Sequence, residues 1–224
     1  MAAAESTRTC AAIIVAAGSS RRMGFDKLAA ELAGVPVLRR TLEAFLAAES
    51  ISEVVMVCPA ERWEMIGGGT FPKPVRRVDG GETRQESVAA GLAEISAEMV
   101  AVHDGARPLV SPADIDRCVA AANAAGAAAL ARPVTDTLKR SDAENFSAEA
   151  VSRERLWFME TPQICGTTML REACAAVAHG GLTVTDEVSA LETIGRRVLF
   201  LESNLPNLKI TTPADLALAE ALLK

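Results

Sequence analysis

The chain has 224 residues, of which 50% are hydrophobic, with a formal net charge of −6 and a pI near 5.1. This acidic balance argues against general binding to nucleic acid or to an anionic membrane surface, so cations that bind an anionic ligand have to be concentrated locally. No apolar run is long enough for a membrane helix, and residues 1–9 lack the apolar segment of a secretory signal. The five cysteines are an odd number without C-x-x-C spacing, which predicts neither a disulfide framework nor a zinc site. The sequence therefore predicts a cytoplasmic protein with one domain over residues 1–224.

Apolar strand-like runs alternate with helical patterns along the chain, which is typical of a layered α/β fold. The predicted strands cover residues 10–16, 54–58, 75–78, 100–103, 127–131 and 198–201. The predicted helices cover residues 36–48, 84–97, 112–125, 167–178, 186–193 and 213–223. Two of these helices have a cap residue directly before a proline at the first helical position, namely Ser111 and Thr212.

The first predicted strand leads into a loop that is rich in glycines and cations. These are Gly18, Arg21, Arg22, Gly24 and Lys27. Glycine lets the backbone approach a ligand closely, and arginine and lysine bind phosphate oxygens. Phe25 after Gly24 excludes a Walker A loop, and Ser20 stands where a dinucleotide fingerprint needs glycine. The connection to the next predicted helix is also far longer than the usual ~2–6 residues, which favours a phosphate-binding loop over a solvated basic turn.

A glycine pair, Gly80 and Gly81, precedes the helix predicted from residue 84. The amides at a helix N-terminus form a site for an anion or for the edge of a nucleotide. Arg84 and Ser87 are three residues apart and therefore share one side of this helix. The pattern predicts that both side chains face a ligand.

Asp104 and Arg107 follow the predicted strand 100–103. In open parallel sheets the carboxyl ends of the strands line the ligand crevice. An aspartate at that edge is a suitable ligand for Mg²⁺ or another hard divalent cation. The alternative is that Asp104 pairs with Arg107 to brace a turn.

Residues 137–158 are polar and rich in charge, and they interrupt the alternation of strands and helices. Such a segment is either a mobile surface loop or an arm that packs on a second subunit.

These motifs occur in order, and together they resemble the cytidylyltransferases that activate 2-C-methyl-D-erythritol 4-phosphate in the non-mevalonate isoprenoid pathway. The resemblance covers nearly the whole chain. Its later landmarks are Asp136–Thr137 with Lys139–Arg140, Arg153, Leu156–Trp157, Thr161–Pro162–Gln163, Thr185–Asp186–Glu187, Asn207–Leu208–Lys209 and Thr212–Pro213 with Asp215. The resemblance implies a Rossmann-like, mostly parallel sheet flanked by helices, of the nucleotide-diphospho-sugar transferase type, with an extended β-arm. It also implies a homodimer in which residues 137–158 form the dimerisation arm.

The resemblance further implies a role for each matching residue. Arg22 and Lys27 match the catalytic cations that stabilise charge on the α-phosphate of CTP, and Asp104 matches the magnesium ligand. Thr137, Arg153 and Lys209 match residues that position the polyol phosphate, the first two from the opposite subunit. The residues that match the CTP-binding set are Ala16, Ala17, Gly18, Ser20, Gly80, Gly81, Arg84 and Ser87. The chain departs from many members of the family at Asp26 and Leu28, where those members have proline and glutamine.

Three alternatives stay open at this point. The chain could be a cytidylyltransferase for another polyol phosphate such as ribitol 5-phosphate, a nucleotidyltransferase that uses a purine triphosphate, or a non-catalytic nucleotide sensor. The shared loop, glycine pair and aspartate do not separate the first alternative from the methylerythritol phosphate enzyme. Product identity separates the two polyol phosphate enzymes, nucleotide preference tests the second alternative, and CTP binding without pyrophosphate release would favour the third.

Overall fold

Seven strands form one central sheet in the computed structural model of the protein, which describes residues 9–18, 26–67 and 70–223. The strands are β1 (Cys10–Val15), β2 (Glu31–Leu32), β3 (Val35–Pro36), β4 (Ile51–Val57), β5 (Val75–Val78), β6 (Met99–Asp104), β7 (Ala127–Pro133), β8 (Leu138–Ser141), β9 (Ser147–Val151), β10 (Trp157–Gly166) and β11 (Leu199–Glu202). The helices are α1 (Val37–Ala47), α2 (Ala60–Met65), α3 (Arg84–Ala93), α4 (Pro112–Ala125), α5 (Thr167–His179), α6 (Glu187–Thr193) and α7 (Pro213–Leu222). The order in the central sheet is β11-β7-β10-β6-β1-β4-β5, and β2–β3 and β8–β9 form separate hairpins.

The central sheet is mostly parallel and is covered by helices on both faces. β1 pairs in parallel with β4 and β6, whereas β10 is antiparallel to both of its neighbours, β6 and β7. Alternate residues of β1 enter different cores: Ala12 and Ile14 pack in the cluster that includes α1 and α4, and Ala11 and Ile13 pack in the cluster that includes α3 and α5. Continuous burial of such a strand is typical of a parallel sheet with two covered faces. The predicted Rossmann-like fold class is confirmed.

Most of the predicted elements are confirmed, but several differ from the structure. The unpredicted elements are β10, a central strand of ten residues, α2, which follows β4, and the short strands β2 and β3. The helix predicted over residues 84–97 ends at Ala93, and Ile95 is buried beyond its end. The apolar period continues through Ile95 although the helix does not, so the pattern overestimated the helix length.

The sheet order places a topological switch point between β1 and β6, because the chain runs from β1 to β4 on one side and only later reaches β6 on the other. Ligands of open α/β sheets bind in the crevice at the carboxyl ends of such strands. The Gly105 amide donates to the Val15 carbonyl at 2.9 Å, which holds the two strand ends together. The loop after β1 and Asp104 at the end of β6 therefore lie side by side.

The described residues contain no helix that is long and apolar enough to cross a membrane. All five cysteines lie in the described residues and are free thiols, as their spacing indicated.

Candidate active site

A pocket of about 650 Å³ lies at the carboxyl ends of β1 and β6. Its wall consists of the loop after β1, the start of α3, the end of β6 and the segment before α7. The residues of the sequence-predicted site that line it are Ala16, Ala17, Gly18, Lys27, Gly81, Arg84, Ser87, Asp104 and Lys209. Residues from opposite ends of the chain thus meet in one crevice.

The described parts of the loop after β1 are tied to both sides of the crevice. The Ala16 amide donates to the Val57 carbonyl at 2.8 Å, which continues the pairing of β1 with β4. The Lys27 ammonium donates to the Ile210 carbonyl at 2.7 Å, on the segment that also carries Lys209. Ser20 and Arg22, which were predicted to bind and activate CTP, lie outside the described residues.

The glycine pair lies against the loop after β1. Thr83 caps α3, and its side chain accepts from the Glu86 amide while the Glu86 carboxylate accepts from the Thr83 amide. The Ser87 hydroxyl donates to the Thr83 carbonyl at 2.9 Å and accepts from the Gly81 amide at 3.2 Å. These bonds order the turn at residues 80–83, and Arg84 and Ser87 at the start of α3 line the pocket.

Gly80→Ala should destabilise the protein by about 1–3 kcal/mol, because a Cβ at this position overpacks the turn. The added carbon would lie 2.3 Å from Ala17 Cβ and 2.8 Å from Ser87 Oγ. Urea unfolding measures the change. Gly166→Ala is the matched control, since the nearest atom to its Cβ would be at 3.8 Å, an ordinary contact. Equal stability of the two variants would contradict the close approach at residue 80.

Asp104 lines the pocket, and its carboxylate has three cationic neighbours. Its carboxylate lies 2.9 Å from the Lys209 ammonium, 3.4 Å from Arg107 Nε and 3.5 Å from Arg84 Nε. Burial alone would raise the pKa of this carboxyl, but Lys209, Arg84 and Arg107 outweigh it and hold the pKa well below its ordinary range. Asp104 is therefore ionised at neutral pH. The alternative pairing of Asp104 with Arg107 exists, and Asp104 nevertheless lines the pocket.

Glu187 is a site residue to which the sequence analysis gave no role. Its carboxylate accepts two hydrogen bonds from Arg84, at 2.7 and 2.8 Å, and it is buried. Burial opposes the charge on Arg84, but Glu187 and Asp104 raise the pKa of the guanidinium further. The motif Thr185–Asp186–Glu187 is one of the landmarks of the family resemblance. The sequence signal that could have identified Glu187 is an acidic residue at the start of a short helix.

Arg107 holds the Lys209 segment in place. Its guanidinium donates to the carbonyls of Asn207 at 2.7 Å and Met159 at 3.2 Å. The Asn207 side chain in turn donates to the Thr161 carbonyl at 2.7 Å. Lys209 is thus positioned by a buried network that holds its segment.

His103 precedes Asp104 but points into the core. It is fully buried, with Nδ1 at 3.0 Å from the Thr161 hydroxyl and Nε2 at 3.2 Å from the Arg107 carbonyl. Burial is the main cause that lowers the pKa of His103 to about 3, so the ring is neutral at physiological pH. This environment indicates a structural role for His103.

Thr137 and Arg153 do not line the pocket of this chain. Both residues are exposed, at the base of the β8–β9 hairpin that occupies the predicted arm. Within one chain the structure therefore brings together the predicted CTP and metal residues that it describes and Lys209, but not these two.

Asp104 is the buried carboxylate that the protein offers to a metal ion in this pocket; Glu82 also lines the pocket but is exposed. Within the described ranges, no group of three or more histidine, cysteine, aspartate or glutamate side chains could hold an ion. Mg²⁺ commonly binds to one or two carboxylates together with substrate phosphates, rather than in an all-protein cage. An ionised Asp104 in one pocket with Lys27 and the glycine-containing loop after β1 fits that mode of binding.

Comparison with known proteins gives one consistent family. Residues 10–224 match the family model described as 2-C-methyl-D-erythritol 4-phosphate cytidylyltransferase. A protein of that name from Parasynechococcus marenigrum is 45% identical over 217 residues, which cover 94% of this chain and 96% of the relative. The chloroplastic protein of that name from Oryza sativa subsp. japonica is 36% identical, over 96% of this chain and 75% of the relative.

The solved structures that resemble this chain belong to the same family as these relatives. The crystal structure of 2-C-methyl-D-erythritol 4-phosphate cytidylyltransferase from Thermus thermophilus has a TM-score of 0.80 and 35% identity, over 96% of this chain and 98% of that one. The crystal structure of 4-diphosphocytidyl-2C-methyl-D-erythritol synthase from Anaerococcus prevotii has a TM-score of 0.83 and 26% identity. The match covers 97% of this chain and 99% of that one. The likeness therefore extends over nearly the whole chain and not only over the sheet.

Proposed function

Since the chain belongs to the 2-C-methyl-D-erythritol 4-phosphate cytidylyltransferase family, we propose that its pocket carries out that family's reaction with the residue roles given below. The enzyme transfers CMP from CTP to 2-C-methyl-D-erythritol 4-phosphate, giving 4-diphosphocytidyl-2-C-methyl-D-erythritol and pyrophosphate in isoprenoid precursor synthesis. The observation that carries the roles is the meeting of Lys209 and Arg84 at the ionised Asp104, in the same pocket as Lys27, at the switch point of the sheet.

The reaction needs charge neutralisation and alignment more than it needs a base. The second pKa of a phosphate monoester is about 6, so the attacking oxygen of the acceptor is largely ionised at neutral pH. This oxygen attacks the α-phosphorus of CTP, a new P–O bond forms, and the bond to pyrophosphate breaks on the opposite side. Cations placed where charge develops accelerate such a step, and Lys27 lies in the pocket to supply one. Arg22, by its match in the family, is proposed as the second.

The start of α3 is proposed to bind the nucleotide. Gly81 and Ser87 line the pocket and Gly80 lies against Ala17, so they would surround the cytosine beside Arg84. Ala16, Ala17 and Gly18 would line the triphosphate, together with Ser20. Holding CTP in this way would direct its α-phosphate toward Lys27.

Asp104 is proposed to hold a divalent cation, most simply Mg²⁺, together with phosphate oxygens of the substrate. When bound, the ion supplies additional positive charge to the triphosphate. The carboxylate that would receive it is the one that Lys209 contacts at 2.9 Å. Ion binding and the position of Lys209 are therefore coupled.

A homodimer is proposed to complete the site. The β8–β9 hairpin is largely exposed and carries Phe146, which is 71% exposed. An exposed aromatic on an extended hairpin is suited to packing on a second subunit. In this arrangement Thr137 and Arg153 of one subunit would join Lys209 of the other in binding the polyol phosphate. We further propose that the dimer acts in the cytoplasm and binds neither nucleic acid nor membrane.

The pH profile of kcat/KM for the acceptor should fall below about pH 6, where the substrate phosphate takes up its second proton. Asp104 and His103 should add no limb in this range, because their pKa values are both lowered below it. The measurement is repeated with a phosphonate analogue of the acceptor, whose second pKa is higher. The limb should move upward with the analogue, and a limb that stays in place would contradict the assignment to the substrate.

Mass spectrometry of the product tests the proposed function. The purified protein is incubated with CTP, Mg²⁺ and 2-C-methyl-D-erythritol 4-phosphate, and we expect 4-diphosphocytidyl-2-C-methyl-D-erythritol to accumulate. Omission of the acceptor is the control. Binding of CTP without any product would instead identify a nucleotide sensor.

A further inference from the structure

A buried arginine outside the predicted site connects the two ends of the loop after β1. Arg62 lies on α2 and is only 7% exposed. Its Nη1 donates to the carbonyl of Ala16 and, at 3.3 Å, to that of Gly18. Its Nε donates to the Asp26 carboxylate at 2.9 Å. One guanidinium therefore bonds both to the start and to the end of the loop.

We propose that Arg62 and Asp26 form a brace that positions the two described ends of the loop after β1, residues 16–18 and 26–28, and with them Lys27. This inference rests on the proposed function, since it assigns two positioning residues to the same reaction. Neither side chain lines the pocket. Both act through the backbone that they hold.

Fixing the position of Asp26 also restricts the position of Lys27, because the two residues are adjacent in the chain. The other oxygen of the Asp26 carboxylate accepts from the Leu28 amide at 3.1 Å, and the Asp26 carbonyl accepts from the Ala30 amide at 3.1 Å. Hydrogen bonds to Asp26 thus hold the backbone that follows Lys27, and Asp26 itself precedes it. Movement of Asp26 away from Arg62 would move the Lys27 ammonium within the pocket.

Arg62 also fixes the direction of a backbone amide at the other end of the loop. The Ala16 carbonyl and the Ala17 amide belong to one planar trans peptide, so the amide points away from the carbonyl and hence away from Arg62. Ala17 lines the pocket. The same guanidinium therefore orients a potential phosphate-binding amide and the catalytic lysine.

The pair suits this role because one of its members is buried. A charge removed from water is costly unless it is paired, so the pair has a strong preference for a single geometry. Arg62 has a planar fork with several donors, which lets it bond to three acceptors at once. Lysine at this position would keep the charge but could not hold all three acceptors in the same way.

A double-mutant cycle tests the brace with Asp26→Asn, Arg62→Met and the double variant. The amide side chain introduced by Asp26→Asn would keep an acceptor for the Leu28 amide and would put an uncharged NH2 group in place of the oxygen that Arg62 binds. We expect each single variant to lower kcat by about 10-fold or more, since small displacements in an active site have effects of this size or larger. The double variant should be no worse than the poorer single one, and Arg62→Lys should be intermediate.

The matched control is Glu53→Gln, which breaks an ion pair of similar length, 2.7 Å, between Glu53 and Arg76. Its kcat should equal that of the wild-type protein. Thermal unfolding is followed for all variants, because a purely structural pair would lower the melting temperature and leave kcat unchanged in the folded protein. That result, or independent losses that multiply in the double variant, would overturn the proposal. Asp26→Asn remains informative if Arg62→Met does not fold.

CTP affinity separates this inference from the proposed function. If the wild-type protein forms no product, the proposed function fails, and calorimetry with CTP and Mg²⁺ still decides the brace. The dissociation constant should rise about 10-fold in Asp26→Asn, as expected for a misplaced charged contact, and stay unchanged in Glu53→Gln. An unchanged affinity in Asp26→Asn, or no CTP binding by any of the proteins, would overturn the brace.

Discussion

Lys27→Ala should lower kcat by about 10²–10³-fold while the protein stays folded, an effect comparable to the loss of one oxyanion-hole donor. The reason is that Lys27 lies in the pocket at the switch point, where it would meet the charge that develops on the α-phosphate. Its hydrogen bond to the Ile210 carbonyl positions the ammonium but is not part of the core. Steady-state kinetics and circular dichroism give the two required measurements. Arg22→Ala should have the same effect if its family role applies.

Lys73→Ala is the control for a lost lysine. The Lys73 ammonium donates to the Ala48 carbonyl, and Lys73 does not line the pocket. Its removal should leave kcat unchanged. Full activity of Lys27→Ala, or loss of its folded structure, would contradict the assignment of Lys27 as a catalytic cation.

Asp104→Asn should reduce turnover by on the order of 10³-fold, because a metal-binding charge at a transferring phosphoryl group contributes several kcal/mol. The variant should also need more Mg²⁺ for half-maximal activity. A magnesium titration of the initial rate measures both effects. Asp79→Asn is the control, since Asp79 pairs with Arg77 at an exposed site. An unchanged magnesium dependence in Asp104→Asn would contradict the metal role.

Asp104→Asn should also change the stability of the protein in acid. Because the native pKa of Asp104 is lowered, its stabilising contribution is complete above the unfolded pKa of about 4 and is lost as the pH falls through the native value. The difference in unfolding free energy between wild type and Asp104→Asn should therefore be constant above about pH 5 and should shrink below about pH 4. Urea unfolding at several pH values measures it, and a difference that grows in acid would have the wrong sign.

The parts of the fold that hydropathy could predict are those in which burial and sequence pattern coincide. β1 is apolar at every position and is buried on both faces, so its pattern identified it as a central strand. β10 was missed because its buried stretch contains Glu160, Thr161 and Gln163. These polar groups are satisfied inside the protein, for example by the bond from Gln163 to Asp186 at 2.9 Å. A hydropathy pattern carries no information about such partners.

The site residues likewise fall into two groups: those that a local motif identifies, and those whose role depends on residues far away in the chain. Lys27, Arg84 and Asp104 could be found from motifs because each belongs to a strand-to-loop or loop-to-helix transition with recognisable chemistry. Arg62 and Glu187 could not be assigned roles in this way, because their importance depends on partners 36 and 103 positions away in the chain. Only the fold of the whole chain brings these residues into contact with those partners.

Pyrophosphate release from CTP and Mg²⁺, with 2-C-methyl-D-erythritol 4-phosphate in one reaction and ribitol 5-phosphate in another, tests the central claim most directly. We expect release only with the methylerythritol phosphate, since the family match and the pocket residues both favour this acceptor. Release only with ribitol 5-phosphate would retain the fold and the chemistry but contradict the assignment to isoprenoid synthesis.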